Sequence, residues 1–476
     1  MIICVSQIKG KDRSSSKRNP RKTSRLVAVT ASMPMSSSSV SPAVQPPPGN
    51  PRFELVDALR AIAVLLVIFC HTSQMSGAAI HASWGWLGTY AYFGVILFFA
   101  ISGFLLYRPF ALAHSGGRRA PRVSAYARRR LLRIIPAYWL ALTVLSIWPG
   151  VQGAFTSHWW VYYGFAQVYS VHTLTSGLAV AWSLCVEMSF YLFLPFFAAF
   201  VAWLVAHQVN KLRWWQTESL VLTVFASVGI VGQVLVHDKT TPYWVANTLM
   251  GTSDWFVAGM ALAVISVASY DYPGVARRLS RLVERWSWLI WLGGIASFLA
   301  ATRVFDVRDL TSGRPGVYGV STATWIANHV GLSLAAGLLL APAVLGAQGP
   351  VRWLLSRRSL AWLGLISYGV FLWHFPIAAW LGLKGAYPAL HGGGLDIVGR
   401  VHTQPTLVLF VATLVVSVIV AAGSYYIVEL PFLRLKDRGT RRESGLTPAR
   451  EPDLAPNSDT NAPSSRSIAG SPQTKL

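Results

Sequence analysis

Residues 55–72 read LVDALRAIAVLLVIFCHT. Fourteen of these eighteen residues are apolar. A helix of this length nearly covers the ~30 Å hydrocarbon core of a bilayer at 1.5 Å per residue. The spacing predicts a transmembrane helix over 55–75. It carries Asp57, Arg60 and His71, and because such side chains are costly in hydrocarbon they are first candidates for function.

Working outward, nine further apolar segments lie near 89–107, 134–151, 183–206, 219–236, 254–270, 286–303, 322–347, 360–383 and 406–430. The composition agrees: of 476 residues, 53% are hydrophobic and only 12% charged, and the mean hydropathy is +0.45. Twenty Trp and 17 Tyr suit helices anchored at two interfaces. The expected fold is therefore all-α, a polytopic membrane bundle of about ten helices spanning 52–436. Residues 1–51 and 437–476 are polar, rich in Ser and Pro, and read as disordered tails. The apolar run at 26–31 is too short for a signal peptide.

Charge fixes an expected orientation. The net charge is +23, but it lies between long apolar segments, which excludes a nucleic-acid-binding domain. Both tails and alternate loops hold 34 of the 41 Lys and Arg, against six in the remaining loops. By the positive-inside rule the basic side is cytoplasmic, with the chain N-in and C-in in the cell membrane. Cys4, Cys70 and Cys185 are far apart and suggest neither a disulfide framework nor a metal site.

The intramembrane polar residues are the candidates for function. On the first helix, His71 falls about 20° from Arg60 on the helical wheel and ~16 Å further along, with Asp57 on the same side. A structural Asp57–Arg60 lock is the competing reading. In the fourth segment, WSLCVEMSFYLFLP places Ser183, Glu187 and Tyr191 at intervals of four on one face. Glu187 needs a partner, and a histidine at similar depth is one candidate; fixing an interfacial Trp or Tyr is the other. Ser102-Gly103 in the second segment and Ser367, Tyr368 and His374 in the ninth complete the pocket candidates, each with a packing role as its alternative. Before the third segment, YARRRLLRIIPAYW sets Arg130 and Arg133 one turn apart, suited to gripping phosphates or to facing lipid headgroups. Glu429, near the inner end of the last segment, reads as structural.

Together these segments resemble the acyltransferase 3 family of membrane acyltransferases. The likeness runs over 55–432 and rests on seven stretches in order. They are Arg60 and His71 with ten residues between, GVILFFAISGFLL, Arg130 and Arg133 before IIPAY, WSLCVEMSFYLFLP, SDWFVAGMALA, LISYGVFLWHFP and SYYIVELPF. The resemblance implies a membrane O-acyltransferase moving an acyl group, usually acetyl, from cytoplasmic acyl-CoA to a hydroxyl of a sugar, glycolipid or glycosylated metabolite. It implies essential roles for Arg60 and His71 and a donor role for Arg130 and Arg133. Acyl-CoA enters as co-substrate; no bound cofactor and no metal are expected. Some relatives carry a soluble esterase-like domain after the last span, and the polar tail here is too short to encode one, so a single-module enzyme is expected. His71 is then the general base with Glu187 as its partner, or else the site of a transient acyl-histidine.

Rival classes leave different marks. A transporter or flippase should show broken midplane helices or repeated halves. A glycosyltransferase using lipid-phosphate donors needs an acidic pair in an early outer loop, whereas residues 76–88 contain no Asp or Glu.

Overall fold

A computed structural model describes residues 53–117, 119–207, 212–271, 273–309, 314–315, 319–346, 350–382 and 406–435. Both expected tails lie outside the described residues. Among the described residues ten helices are long and apolar enough to cross a membrane, and each coincides with an expected segment. They are α1 (Glu54–Met75), α2 (Phe93–His114), α3 (Val123–Ile147), α4 (Trp182–Ala206), α5 (Trp214–His237), α6 (Leu249–Asp271), α7 (Pro273–Leu299), α8 (Thr322–Leu345), α9 (Arg358–Gly382) and α10 (Thr406–Ser424). Such segments become helices because hydrocarbon offers no partner to an unsatisfied backbone amide.

The bundle is apolar outside. Leu192, Phe196, Phe200 and Trp203 of α4 and Val224, Val228 and Val231 of α5 are all exposed, as lipid-facing side chains must be. Polar groups are turned inward, among them Ser102, Arg108, Glu218, Asp254, His329 and His374. One inward network ties α2 to α5: Tyr107 donates to Glu218, whose other oxygen lies 2.5 Å from His114 Nδ1.

Backbones meet closely where glycine allows it. A Cβ on Gly259 of α6 would stand 1.8 Å from the Ala100 carbonyl oxygen of α2, and one on Gly103 of α2 would stand 2.1 Å from that of Phe256 on α6. These reciprocal contacts make a tight small-residue seam. Gly259→Ala should therefore lower stability by at least the ~1–3 kcal/mol of an overpacked core, since the obstacle is backbone rather than a movable side chain. Thermal unfolding in detergent measures it; an unchanged melting temperature would mean that the helices stand further apart.

One expectation needs correction. The basic stretch 108–133 is mostly not a loop: α2 runs to His114 and α3 starts at Val123. Arg and Leu are good helix formers and the bundle supplies polar partners, so the helices continue beyond the apolar cores. Arg108, counted with the loop, is buried in α2 and donates to Ser266 Oγ at 3.1 Å. Arg130 and Arg133 are likewise helical residues.

The orientation follows the charge as an expectation. Cysteines placed at Ser115, after α2, and Thr240, after α5, should label oppositely with an impermeant thiol reagent on intact cells. The background would lack Cys4, Cys70 and Cys185. Labelling of both would refute the assigned sidedness. An alternative probe position, Thr311, lies outside the described residues.

Candidate functional site

Two adjoining cavities occupy the bundle interior. The narrower lies toward the basic side and is lined by Arg60 of α1, Ser102 of α2, Arg133 of α3, Glu187 of α4 and Tyr368 of α9, with Ser183, Tyr191 and Ser367 among its other walls. It offers about 60 Å³ to water centres. One water needs roughly 10–15 Å³ by this measure, so the space suits a few non-hydrogen atoms, not a nucleotide.

Glu187 organises this chamber. Its Oε1 accepts from Ser102 Oγ at 2.6 Å and from Tyr191 OH at 2.5 Å. Its Oε2 has no hydrogen-bond partner among the described residues. The four-residue spacing of Ser183, Glu187 and Tyr191 does place all three on one wall, as the sequence predicts. The Ser102-Gly103 pair divides two roles between neighbours: the hydroxyl bonds Glu187, and the glycine admits the backbone of α6.

Cations surround that carboxylate. Arg60 feels the charges of Asp57, Glu187 and Arg133. Arg130 stands over the Tyr191 ring at 6.0 Å. All three arginines are half-buried, and the Nε atoms of Arg60 and Arg130 are buried without a hydrogen-bond partner among the described residues. Buried donors are seldom left unsatisfied, so the cluster is prepared for an anionic or strongly polar ligand. Glu429 was read as structural, yet its charge acts on Arg133 and on Tyr368, and its Oε1 is buried without a partner. It sits on a π-helical turn, Tyr425–Glu429, of a kind often found at functional sites. Tyr368 also donates to the Ile134 carbonyl at 2.8 Å, fixing α9 to α3.

The wider cavity lies further along α1 and α9 and offers about 340 Å³ to water centres. His71, His329, Asn328, Trp182, Trp255 and Phe375 are among its lining residues. His71 packs 5.3 Å from the His374 ring and 4.9 Å from the Phe375 ring, centroid to centroid. His374 Nδ1 donates to the Phe371 carbonyl at 2.7 Å, and its Nε2 is buried without a partner. Trp182 belongs to this cavity and Ser183 to the narrow one; Phe375 and Phe371 divide in the same way. The cavities therefore meet along α4 and α9.

The structure brings together Arg60, Arg133, Ser102, Ser183, Glu187, Tyr191 and Tyr368 around one space, and His71 and His374 beside the next. It does not set Glu187 against His71. The carboxylate's bonds go to Ser102 and Tyr191, because Glu187 lies eight residues from the start of its membrane span at Ala179. That is ~12 Å, against ~6 Å from His71 to the end of α1 at Met75. Asp57 acts on Arg60 by its charge and lines neither cavity. Among the described residues no group of three His, Cys, Asp or Glu side chains is arranged for a metal.

Sequence reasoning passed over Asp254 and His329. They lie on α6 and α8, and His329 Nε2 is 3.0 Å from Asp254 Oδ1. The signal was available, since an ionisable residue in each of two apolar segments raises the same question as His71.

The acyltransferase 3 family model, described as an acyltransferase domain, matches residues 53–426. The chain is 24% identical over 340 residues to the peptidoglycan O-acetyltransferase OatA of Listeria monocytogenes, covering 68% of this chain and 49% of that one. It is 24% identical over 391 residues to the putative peptidoglycan O-acetyltransferase YrhL of Bacillus subtilis, with 79% and 54% covered. It is 24% identical over 393 residues to the O-acetyltransferase OatA of Staphylococcus aureus, with 79% and 56% covered. The chain thus spans about half the length of these curated relatives. No solved structure matches it.

Proposed function

The chain belongs to the acyltransferase 3 family, and from that premise we propose that it is a cell-membrane O-acyltransferase. It carries an acetyl group from acyl-CoA on the cytoplasmic side to a hydroxyl of a carbohydrate. The observation that carries this reading is the narrow cavity itself, lined by Arg60, Arg133 and the bonded carboxylate of Glu187 in a space of thioester size, with Arg130 over its Tyr191 wall.

In this reading Arg130 and Arg133 meet the donor's phosphates from the basic side, while the acetyl thioester enters the narrow cavity. Arg60 faces its carbonyl, where negative charge develops during attack, while the Ser102 and Tyr191 hydroxyls hold Glu187. His71 acts from the adjoining cavity. The acceptor hydroxyl gives its proton to the imidazole as its oxygen bonds to the carbonyl carbon. The carbon–sulfur bond then breaks, and the proton passes to the departing thiolate. His374, whose Nδ1 is held by a carbonyl, keeps the imidazole of His71 in place by ring packing. Glu187 serves the arginine cluster, positioning Arg60 and Arg130, and is not the partner of His71.

The test uses purified protein in lipid nanodiscs with acetyl-labelled acetyl-CoA and a set of oligosaccharides. Label should move to a sugar, with one thiol released per ester formed. Thiol release at the rate of the protein-free control, with every acceptor, would reject the proposal.

A further inference from the structure

The wider cavity contains a second histidine for which the transfer step just described has no use. His329 of α8 is buried, as is Asp254 of α6, and the two are joined at 3.0 Å. The Trp255 ring stacks on the imidazole with centroids 5.0 Å apart and planes 27° from parallel. The ring is thus held at its edge and on its face. A carboxylate oxygen accepts, so the proton of the bond sits on Nε2. In the neutral ring that leaves Nδ1 as a lone-pair acceptor, and the ring's hydrogen bond among the described residues is the one to Asp254.

Its neighbour in sequence is prepared in the same way. Asn328 Nδ2 donates to the Ala301 carbonyl at 2.7 Å and to the Phe305 carbonyl at 3.1 Å. Two carbonyl partners fix the amide's orientation, and its Oδ1 is left toward the cavity as a second acceptor without a described partner. By contrast Gln233 is fully engaged. It donates to the Ala246 and Gly251 carbonyls and accepts from Trp325 Nε1, and so serves as wall.

The rest of the lining narrows the ligand class. Trp182, Trp255, Trp325, Tyr92 and Tyr243 give broad aromatic faces, and among the described residues the cavity lining contains no Lys, Arg, Asp or Glu. A phosphate or carboxylate would be buried there without a cation, which is costly. A neutral ring with apolar C–H faces and hydroxyl donors at its edge meets every feature. The volume of about 340 Å³ is roughly eleven times the ~30 Å³ that one water occupies in the liquid, enough for a sugar ring and part of the next.

We propose that the wider cavity is the acceptor subsite for a neutral carbohydrate, and that His329, locked by Asp254 and Trp255, is the positioning residue that accepts a hydrogen bond from a sugar hydroxyl. The inference rests on the O-acyltransferase reading for what is done to the sugar, but not for its binding. A pair that only ties α6 to α8 would need neither the open Nδ1 nor the open Asn328 oxygen beside it.

The test is binding without donor. Wild-type protein in nanodiscs is titrated with chitotetraose, a neutral β-1,4-linked N-acetylglucosamine tetramer, by calorimetry. Saturable binding is expected. His329→Phe keeps a ring to stack on Trp255 and removes both nitrogens, and it should weaken binding at least ~10-fold, the scale of one hydrogen bond left unmade. Thr175→Trp, on a different segment of the cavity wall from the pair, fills the cavity and should abolish binding even if His329→Phe misfolds. Acetyl-CoA binding to Thr175→Trp should stay within about twofold of wild type. Absence of chitotetraose binding to wild type, or wild-type affinity in Thr175→Trp, would overturn the assignment. So would wild-type affinity in folded His329→Phe. Sugar binding with these dependences but no acetyl transfer from acetyl-CoA would instead reject the transferase reading and leave the carbohydrate site standing.

Discussion

Exchange of His71 for alanine should lower turnover by at least ~100-fold, the usual scale for loss of a positioned general base. Membrane insertion and donor affinity should be retained. His71 stands where α1 enters the wider cavity, packed against His374 and Phe375, while its helix neighbour Arg60 lines the narrow one. As the proposed base its loss should reduce turnover far more than substrate binding. Steady-state kinetics on purified protein give that split. A His71→Ala enzyme that turns over near the wild-type rate would remove the proposed base. Glu187→Gln supplies the contrast: with its carboxylate among arginines rather than beside His71, the change should act chiefly on donor affinity. It should leave the pH dependence of turnover in place.

The double substitution Arg130→Ala/Arg133→Ala should raise the acyl-CoA requirement about 10- to 100-fold, with the acceptor requirement changing much less. A charge-assisted contact to phosphate contributes roughly 1.5–3 kcal/mol, and tenfold in affinity is 1.4 kcal/mol. The two residues lie one turn apart on α3, half-buried. The buried, unpartnered Nε of Arg130 marks unused donor capacity. Arginines that only set topology would leave donor KM unchanged. Lysine at both positions should restore less than half of the lost affinity, because a point charge cannot reproduce the planar fork of donors.

Much of this was legible in the sequence, for physical reasons. Ten apolar segments appear as ten helices because hydrocarbon leaves an apolar segment little alternative. The wall formed by Ser183, Glu187 and Tyr191 followed from helical spacing alone. What sequence could not supply was depth measured across different helices. Glu187 was referred to an apolar segment starting near 183, whereas its span starts at Ala179, so the carboxylate lies deeper and meets Ser102. The helical extension of α3 escaped notice because basic residues hide the continuation of a helix from a hydropathy count. Asp254 and His329 were missed for a related reason. Each sits beside a small polar neighbour, Ser253 or Asn328, in a largely apolar segment, and only packing shows what it faces.

The glycine seam between α2 and α6 has a consequence for how such an enzyme diversifies. Ser102 and Phe99 of α2 belong to the narrow cavity, and Trp255 of α6 belongs to the wide one. Because these two helices touch backbone to backbone, the separation of the two chambers is a property of main-chain geometry, not of side-chain volume. The seam acts as a fixed ruler. In the proposed enzyme the loop around Thr175 is then free to vary and admit a different sugar, while the distance the acetyl group must travel stays the same.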